Sequence, residues 1–353
     1  METNQLVWPK QPPKNIIVRM PNWIGDVVMA TPVLSDLRAK FKNAKITVMC
    51  QSNVAAILKS DPNIDKVYSY VKPNGWIHRA VHLDVVDQLK RGKYDLGILL
   101  TNSFSSTWWF FLGQVQNRIG YRGKFRDFLL KRAVPIPKDI EKQHLVITYK
   151  MLLQPLGIPL SNTLPKLYVV NEETLSAIHL LENLGINLKT NTIIGINPGA
   201  AYGSAKCWLP ERFKVLNKRL LEDPNVYLIY FGDQAGTSLV DEICQGMDKR
   251  VINLAGKTTI RGLMALIQKC SVFLTNDSGP MHIASALGTK LVALFGSTSD
   301  VKTGPFGNNK IIHKHVECSP CYKRVCPIDF RCMTKISVEE VFQEIQKLLL
   351  NTN

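Results

Sequence analysis

The stretch 271–299, SVFLTNDSGPMHIASALGTKLVALFGSTS, constrains the fold more than any other part of the chain. An apolar run at 272–274 stops at the polar knot Thr275-Asn276-Asp277-Ser278-Gly279-Pro280. A helical pattern follows, then a second apolar run at 291–295 that stops at Gly296-Ser297-Thr298-Ser299. This order reads as strand, loop, helix, strand, loop, the repeating unit of a parallel α/β sheet. Pro280 suits a first helical turn, where its missing N–H is not needed. The free N–H groups and positive dipole end of such a turn make a seat for phosphate.

The same rhythm runs through the chain. In the first half, strands are expected at 16–20, 46–50, 67–70 and 96–100, with helices near 27–41, 52–59 and 79–91. In the second, strands at 192–197, 226–231, 251–254, 271–275 and 290–295 alternate with helices near 171–184, 210–222, 237–246, 259–269 and 279–287. The segment QPLGIPLSNTLP (154–165) holds three prolines and a glycine and is the natural linker. The 353 residues therefore divide into two α/β domains, 1–160 and 161–353. Their ligand site is expected in a cleft at the carboxyl ends of the strands. A last amphipathic helix, 338–350, is expected to pack back across the boundary.

Hydrophobic content of 45% and charged content of 20% describe an ordinary globular protein. No apolar run approaches the roughly 18 residues that span a bilayer, and the N-terminus has no signal-peptide core. A cytoplasmic protein is expected, its cysteines thiols or metal ligands before disulfides. The net charge of +16 is uneven: residues 1–160 hold 23 Lys/Arg against 11 Asp/Glu, a net of +12. That half calls for an anionic partner.

Two loops carry the strongest chemistry. Pro21-Asn22-Trp23-Ile24-Gly25-Asp26 follows the first strand; Gly25 lets the backbone approach a ligand. Asp26 either caps the next helix or acts as a general base. Asn197-Pro198-Gly199-Ala200-Ala201-Tyr202-Gly203-Ser204-Ala205-Lys206 follows the strand TIIGI, and Lys206 fits contact with a diphosphate whose charge grows as its bond to a sugar breaks. Gln234 in Phe231-Gly232-Asp233-Gln234 and Thr258 in Gly256-Lys257-Thr258 end later strands and give weaker signals. The G-x-G-x-x-G fingerprint of dehydrogenases does not occur. Neither does an Asp-x-Asp triplet that would hold a diphosphate through a metal.

A basic stretch, Arg118, Arg122, Lys124 and Arg126, with Arg79 upstream, offers forks for carboxylates and phosphates. Beside it Trp108-Trp109-Phe110-Phe111 reads as core or as an interfacial cluster. Four cysteines, Cys318, Cys321, Cys326 and Cys332, are separated by two, four and five residues, with His313 and His315 nearby. They suit a tetrahedral Zn²⁺, free thiols or a labile disulfide. The charge and cysteines together also fit a zinc-containing nucleic-acid-binding protein. The basic residues, however, are interleaved with strands and helices instead of forming one stripe.

Taken together, NWIGDVVMATPVL (22–34), NPGAAYGSAKCWLPERF (197–213), YFGDQ (230–234), NLAGKTTI (253–260) and TNDSGPMHIASALGTKLVALFGSTS (275–299) resemble the ADP-heptose:lipopolysaccharide heptosyltransferases, glycosyltransferase family 9. The resemblance covers nearly the whole chain, and NPGA followed by AKCWLP is closer to the type II members. It implies a GT-B fold, two Rossmann-like domains facing across a cleft. It also implies inverting transfer of L-glycero-D-manno-heptose from ADP-L-glycero-β-D-manno-heptose to the heptosyl-Kdo-lipid A inner core. A type I or III activity, or another acceptor, stays open. By position, Asp26 would be the base and Lys206 would bind the diphosphate. Asp277, Ser278, Gly279 and His282 would line the donor site, and Thr258 and Gln234 would lie near the nucleoside. From the residues themselves, Gly25 and the basic Arg79, Arg118, Arg122 and Lys124 are expected to meet the acceptor. No cofactor or catalytic metal, no nucleic-acid partner and a monomer are expected, acting at the cytoplasmic face of the inner membrane. The resemblance gives the cysteines no role.

Overall fold

The computed structural model describes residues 12–71, 78–123, 125–307 and 309–350, with backbone alone at 78 and 79. The chain forms two compact units, one ending at Tyr168 and the other beginning at Val169.

In the first unit, β1 (Asn15–Arg19), α1 (Ile24–Lys40), β2 (Lys45–Gln51), α2 (Ser52–Ala55), β3 (Lys66–Tyr70) and α3 (His78–Gly92) come first. β4 (Leu96–Leu99), α4 (Phe104–Leu112), β5 (Asn117–Tyr121), β6 (Arg132–Val134) and α5 (Leu145–Met151) complete it. The second unit starts with α6 (Asn171–Asn183), β7 (Thr192–Asn197), α7 (Pro210–Leu220), β8 (Val226–Tyr230), α8 (Thr237–Cys244), β9 (Val251–Asn253) and α9 (Ile260–Lys269). It ends with β10 (Val272–Asn276), α10 (Gly279–Leu287), β11 (Leu291–Phe295), α11 (Asp300–Thr303), β12 (Lys310–His313), α12 (Arg331–Thr334) and α13 (Val338–Leu350).

Each unit holds a six-stranded parallel sheet, ordered β3-β2-β1-β4-β5-β6 and β12-β11-β10-β7-β8-β9. The two orders are the same winding, in which the unit's first strand lies between its second and fourth. Central strands are covered on both faces and therefore read as unbroken apolar runs, as at Ile16-Ile17-Val18 and Val272-Phe273-Leu274, all fully buried. The winding reverses between β1 and β4 and between β7 and β10. Loops leaving the carboxyl ends of those strands diverge and leave room for a ligand.

Every strand expected from the sequence forms, and the sheets contain three more. β5 (NRIGY) was hidden because its arginine and glycine break the apolar pattern. β6 and β12 are short edge strands with little apolar signal. The 154–165 segment is not a free tether. The Ser161 hydroxyl donates to Asp36 at 2.8 Å, and Lys150 donates to the carbonyls of Ser161 and, at 3.1 Å, Thr163. Lys166 N–H reaches Thr31 at 3.1 Å, so the strap is tied to α1 as far as the unit boundary, which falls beyond 160 for that reason.

The last helix packs within the second unit. Val341 and Ile345 of α13 are buried in the second sheet's core beside Trp208, Phe213 and Met333. Its apolar stripe was legible, but which surface would receive it was not. Ile345→Ala should lower the unfolding free energy of the second unit by about 2–5 kcal/mol in a urea titration, because a buried side chain is lost and a cavity remains.

Candidate active site

At the β7/β10 reversal two loops meet. β10 ends at Asn276, and Asp277 follows, nearly buried. Its carboxylate pairs with the Lys206 ammonium and accepts 2.6 Å from the Thr298 hydroxyl at the end of β11. The loop bearing Lys206 leaves β7 and is held at both ends by the fully buried Asn276. The Asn276 amide donates to Pro198 O at 2.5 Å, and its oxygen accepts from Trp208 N–H at 3.2 Å. Asn197 donates to Gly199 O at 2.9 Å and to Ser278 Oγ at 3.2 Å, joining this loop to the next helix start.

That start is open. Ser278 occupies the cap position of α10 but makes no capping hydrogen bond; its hydroxyl lies 3.0 Å from Thr275 Oγ1. Pro280 sits in the first turn, and Gly279 places no side chain over it. First-turn N–H groups have no helical acceptor, so this end favours an anion. Lys206 lies beside it through its pairing with Asp277, and His282 is buried one turn along. The geometry thus brings Lys206, Asp277, Ser278 and Gly279 together as the sequence suggested. It adds Asn197, Asn276 and Thr298, whose only sequence signal is their place at strand ends.

The cysteine-rich segment supports this edge. Ala205 N–H donates to Arg324 O at 3.0 Å, Tyr202 OH to Tyr322 O at 2.6 Å, and Tyr322 N–H to Ser297 O at 2.7 Å. Gly203 is required here, since a Cβ would stand 2.3 Å from Arg324 O. Lys206 and Arg324 both approach the Tyr202 ring, at 4.8 and 5.4 Å. All four cysteines are free thiols. Burial, with the neighbouring Cys318, Cys326 and Cys321, pushes the Cys332 thiol up to about 11. His313 and His315 group with Asp300 and not with the thiols; His313 Nδ1 is 3.0 Å from Asp300.

Along the same sheet edge, the loops after β8 and β9 touch. Gly256 donates to Gly232 O at 2.9 Å, and a Cβ on Gly256 would lie 2.9 Å from the exposed Gln234 side chain. Thr258 is half-buried just beyond. This pair stands one and two strands outward from Lys206.

In the first unit, Gly25 and Asp26 lie in the first turn of α1, directly after β1 and at the β1/β4 reversal. Trp23, not Asp26, occupies the cap position. The Asp26 carboxylate instead accepts a hydrogen bond from the Tyr149 hydroxyl of α5. Burial and that negative neighbour push Tyr149 well above an ordinary phenol, so it stays protonated. Sequence reasoning missed Tyr149, because nothing local ties it to a residue 123 positions earlier. The buried Arg19 orients the same loop, donating to Asn22 Oδ1 at 2.7 Å and to the Tyr70 hydroxyl. Burial lowers its basicity.

The basic candidates separate. Arg118 is buried, and its guanidinium donates to Leu129 O at 2.6 Å and to Val115 O, so it closes the β5 edge and is not available to an acceptor. Arg122 is exposed at the end of β5. Arg126 is fully buried and pins the loops after β4 and β5, donating to Thr101 O at 2.6 Å, Asn102 Oδ1 at 3.0 Å and Tyr121 O at 2.6 Å. Burial lowers it to about 10. Arg79 opens α3, but its side chain, like all of Lys124, lies outside the described residues.

Comparison with known proteins accords with this arrangement. Residues 83–330 match the model of glycosyltransferase family 9 (heptosyltransferase). The chain is 30% identical to lipooligosaccharide heptosyltransferase 2 of Campylobacter jejuni over 94% of its own length and 98% of the relative's. It is 27% identical to lipopolysaccharide heptosyltransferase 2 of Escherichia coli K12, covering 95% and 98%. The solved structure of E. coli ADP-heptose lipopolysaccharide heptosyltransferase II superimposes with a TM-score of 0.80 at 26% identity, covering 95% of this chain and 98% of that one. The two parallel sheets are therefore those of a GT-B enzyme, and the chain belongs to glycosyltransferase family 9, the heptosyltransferases.

Proposed function

We propose that this glycosyltransferase moves L-glycero-D-manno-heptose from ADP-heptose to the heptosyl-Kdo-lipid A inner core of lipopolysaccharide, the type II reaction. The relatives named heptosyltransferase 2, matched over nearly their full length, support this choice of donor and acceptor. The observation that carries the chemistry is the Lys206–Asp277 pair beside the uncapped start of α10.

In this reading the ADP diphosphate takes the α10 N–H groups, with Lys206 against the β-phosphate. Asp277 and Thr298 hold the ammonium in place before the donor arrives. The loops bearing Gln234 and Thr258 meet the nucleoside. The acceptor hydroxyl attacks the anomeric carbon while the bond from that carbon to the phosphate oxygen breaks on the opposite face, inverting the centre. The bonding pair leaves on ADP, whose growing charge Lys206 and the helix dipole offset. The proton passes from the acceptor oxygen to Asp26, and the Tyr149 hydroxyl keeps that carboxylate aimed and ionised. Protein groups alone balance the charge in this scheme, and no metal takes a step. Among the described residues no helix is long and apolar enough to cross a membrane. The lipid-borne acceptor is met at the cytoplasmic face of the inner membrane.

Asp26→Asn should cut kcat by about 10²–10⁴ with little change in ADP affinity, measured by ADP release and calorimetry. Full turnover in a folded variant would remove Asp26 as base. Lys206→Ala should cost about 10²–10³ in kcat and also weaken ADP binding. Tyr149→Phe should retain activity but move the acid limb of the kcat/KM profile to higher pH, because a hydrogen bond to the charged form of the base is lost. An unchanged profile would leave Tyr149 a packing role. Assayed with ADP-heptose on core acceptors carrying zero, one or two heptoses, the enzyme should use the one-heptose acceptor alone. Product on the zero-heptose acceptor would favour a type I activity instead.

A further inference from the structure

α4 presents an unusual surface. Its sequence, FSSTWWFFL, holds no charge, and its two faces differ. Ser106, Thr107, Trp109 and Phe110 are buried, whereas Phe104, Trp108, Phe111 and Leu112 are exposed. The exposed set has the spacing of one helical face. Its rings stack in a row, Phe104 on Trp108 at 6.1 Å and Trp108 on Phe111 at 5.6 Å.

The turn after β5 lies against α4. Arg126, buried beneath, ties this turn to Thr101 and Thr107 of the α4 start, and above it Phe125 and Phe128 are 93% and 76% exposed. Exposed aromatic rings on adjoining elements mark an interaction surface.

Its rim is basic. Arg122 and Lys131 are exposed and Arg132 half-buried, with the exposed Asp127 between them in the chain. Arg118 lies 5.3 Å from the Phe111 ring beneath the patch. Aromatic side chains ringed by cations are what an interfacial membrane contact requires, the rings entering the headgroup region and the cations meeting anionic lipid. The topology places the patch usefully. β1, β4 and β5 are neighbours, so the loops bearing Asp26, Phe104 and Phe125 leave the same sheet edge side by side.

We infer that the exposed face of α4 with Phe125 and Phe128 docks the enzyme on an anionic bilayer. The inference deepens the proposed reading, since a lipid-borne acceptor gives the docking its purpose.

The test sediments the full chain with vesicles of phosphatidylcholine alone or with about 30% phosphatidylglycerol, a composition chosen to set the surface potential. The wild type should bind the anionic vesicles at low salt, and high salt or neutral lipid should weaken binding about tenfold. A triple variant, Trp108→Ser, Phe125→Ser and Phe128→Ser, should lose binding about tenfold as apolar area is removed. Its circular dichroism and its transfer to a delipidated, water-soluble acceptor should be unchanged, while transfer to an acceptor embedded in anionic vesicles falls. Wild type that stays in the supernatant with anionic vesicles overturns the inference, as does a triple variant that binds like wild type. Equilibrium sedimentation adds a third overturning result: a wild-type dimer that the triple variant dissolves would show that a second copy covers this face. Vesicle binding is read without heptose, so the two readings fail separately. Binding without transfer discards the heptose assignment and leaves the surface standing, whereas transfer to the soluble acceptor without binding discards the surface alone.

Discussion

The buried pairing of Lys206 with Asp277 is the contact on which the second unit's site depends. Lys206 is 13% exposed and Asp277 6%, so each charge has lost most of its water and needs the other. Such a pair adds little net stability, because desolvation consumes most of the Coulomb gain. Its value is positional. It places one cation next to a helix start whose N–H groups already favour an anion, and it does so where the sheet order reverses and the loops part. Asn276 makes the placement rigid by holding both ends of the lysine loop from a fully buried position.

The cysteine-rich segment takes its meaning from the same contact. Irregular chain running from Cys318 to Phe330 is stitched by hydrogen bonds to the Lys206 loop and to the loop after β11. The segment acts as a wall behind the Lys206 loop. Gly203 records how close the two chains come. In the first unit, Arg19 and Arg126 have comparable duties: both are buried, and both spend their guanidinium groups on loops at the carboxyl ends of strands. Positive charge in that unit is thus partly structural, and only the remainder is exposed.

Much of this was legible in the residues. The β10–α10–β11 run has an unbroken apolar strand, a polar knot and a proline at the helix start, and each has a local physical cause. Lys206 and Asp277 were both visible as chemistry at strand ends, although nothing in the sequence pairs them. β5 was not legible, because Arg118 is an interior cation whose partners are backbone carbonyls, and carbonyls leave no trace in a sequence. The same blindness made Arg118 look like a substrate contact.

Local pattern determined the alternation of strands and helices, the two-unit organisation, the open helix start at Gly279 and the family. These follow from periodicity, cap chemistry and short motifs, all of which act within a few residues. Tertiary structure alone decided that Tyr149 serves Asp26, that α13 closes its own unit's core and that one face of α4 stays bare. Each depends on which surfaces meet after folding. Burial and hydrogen bonding between residues more than a hundred positions apart are set by the packing of whole elements, not by the identity of either residue.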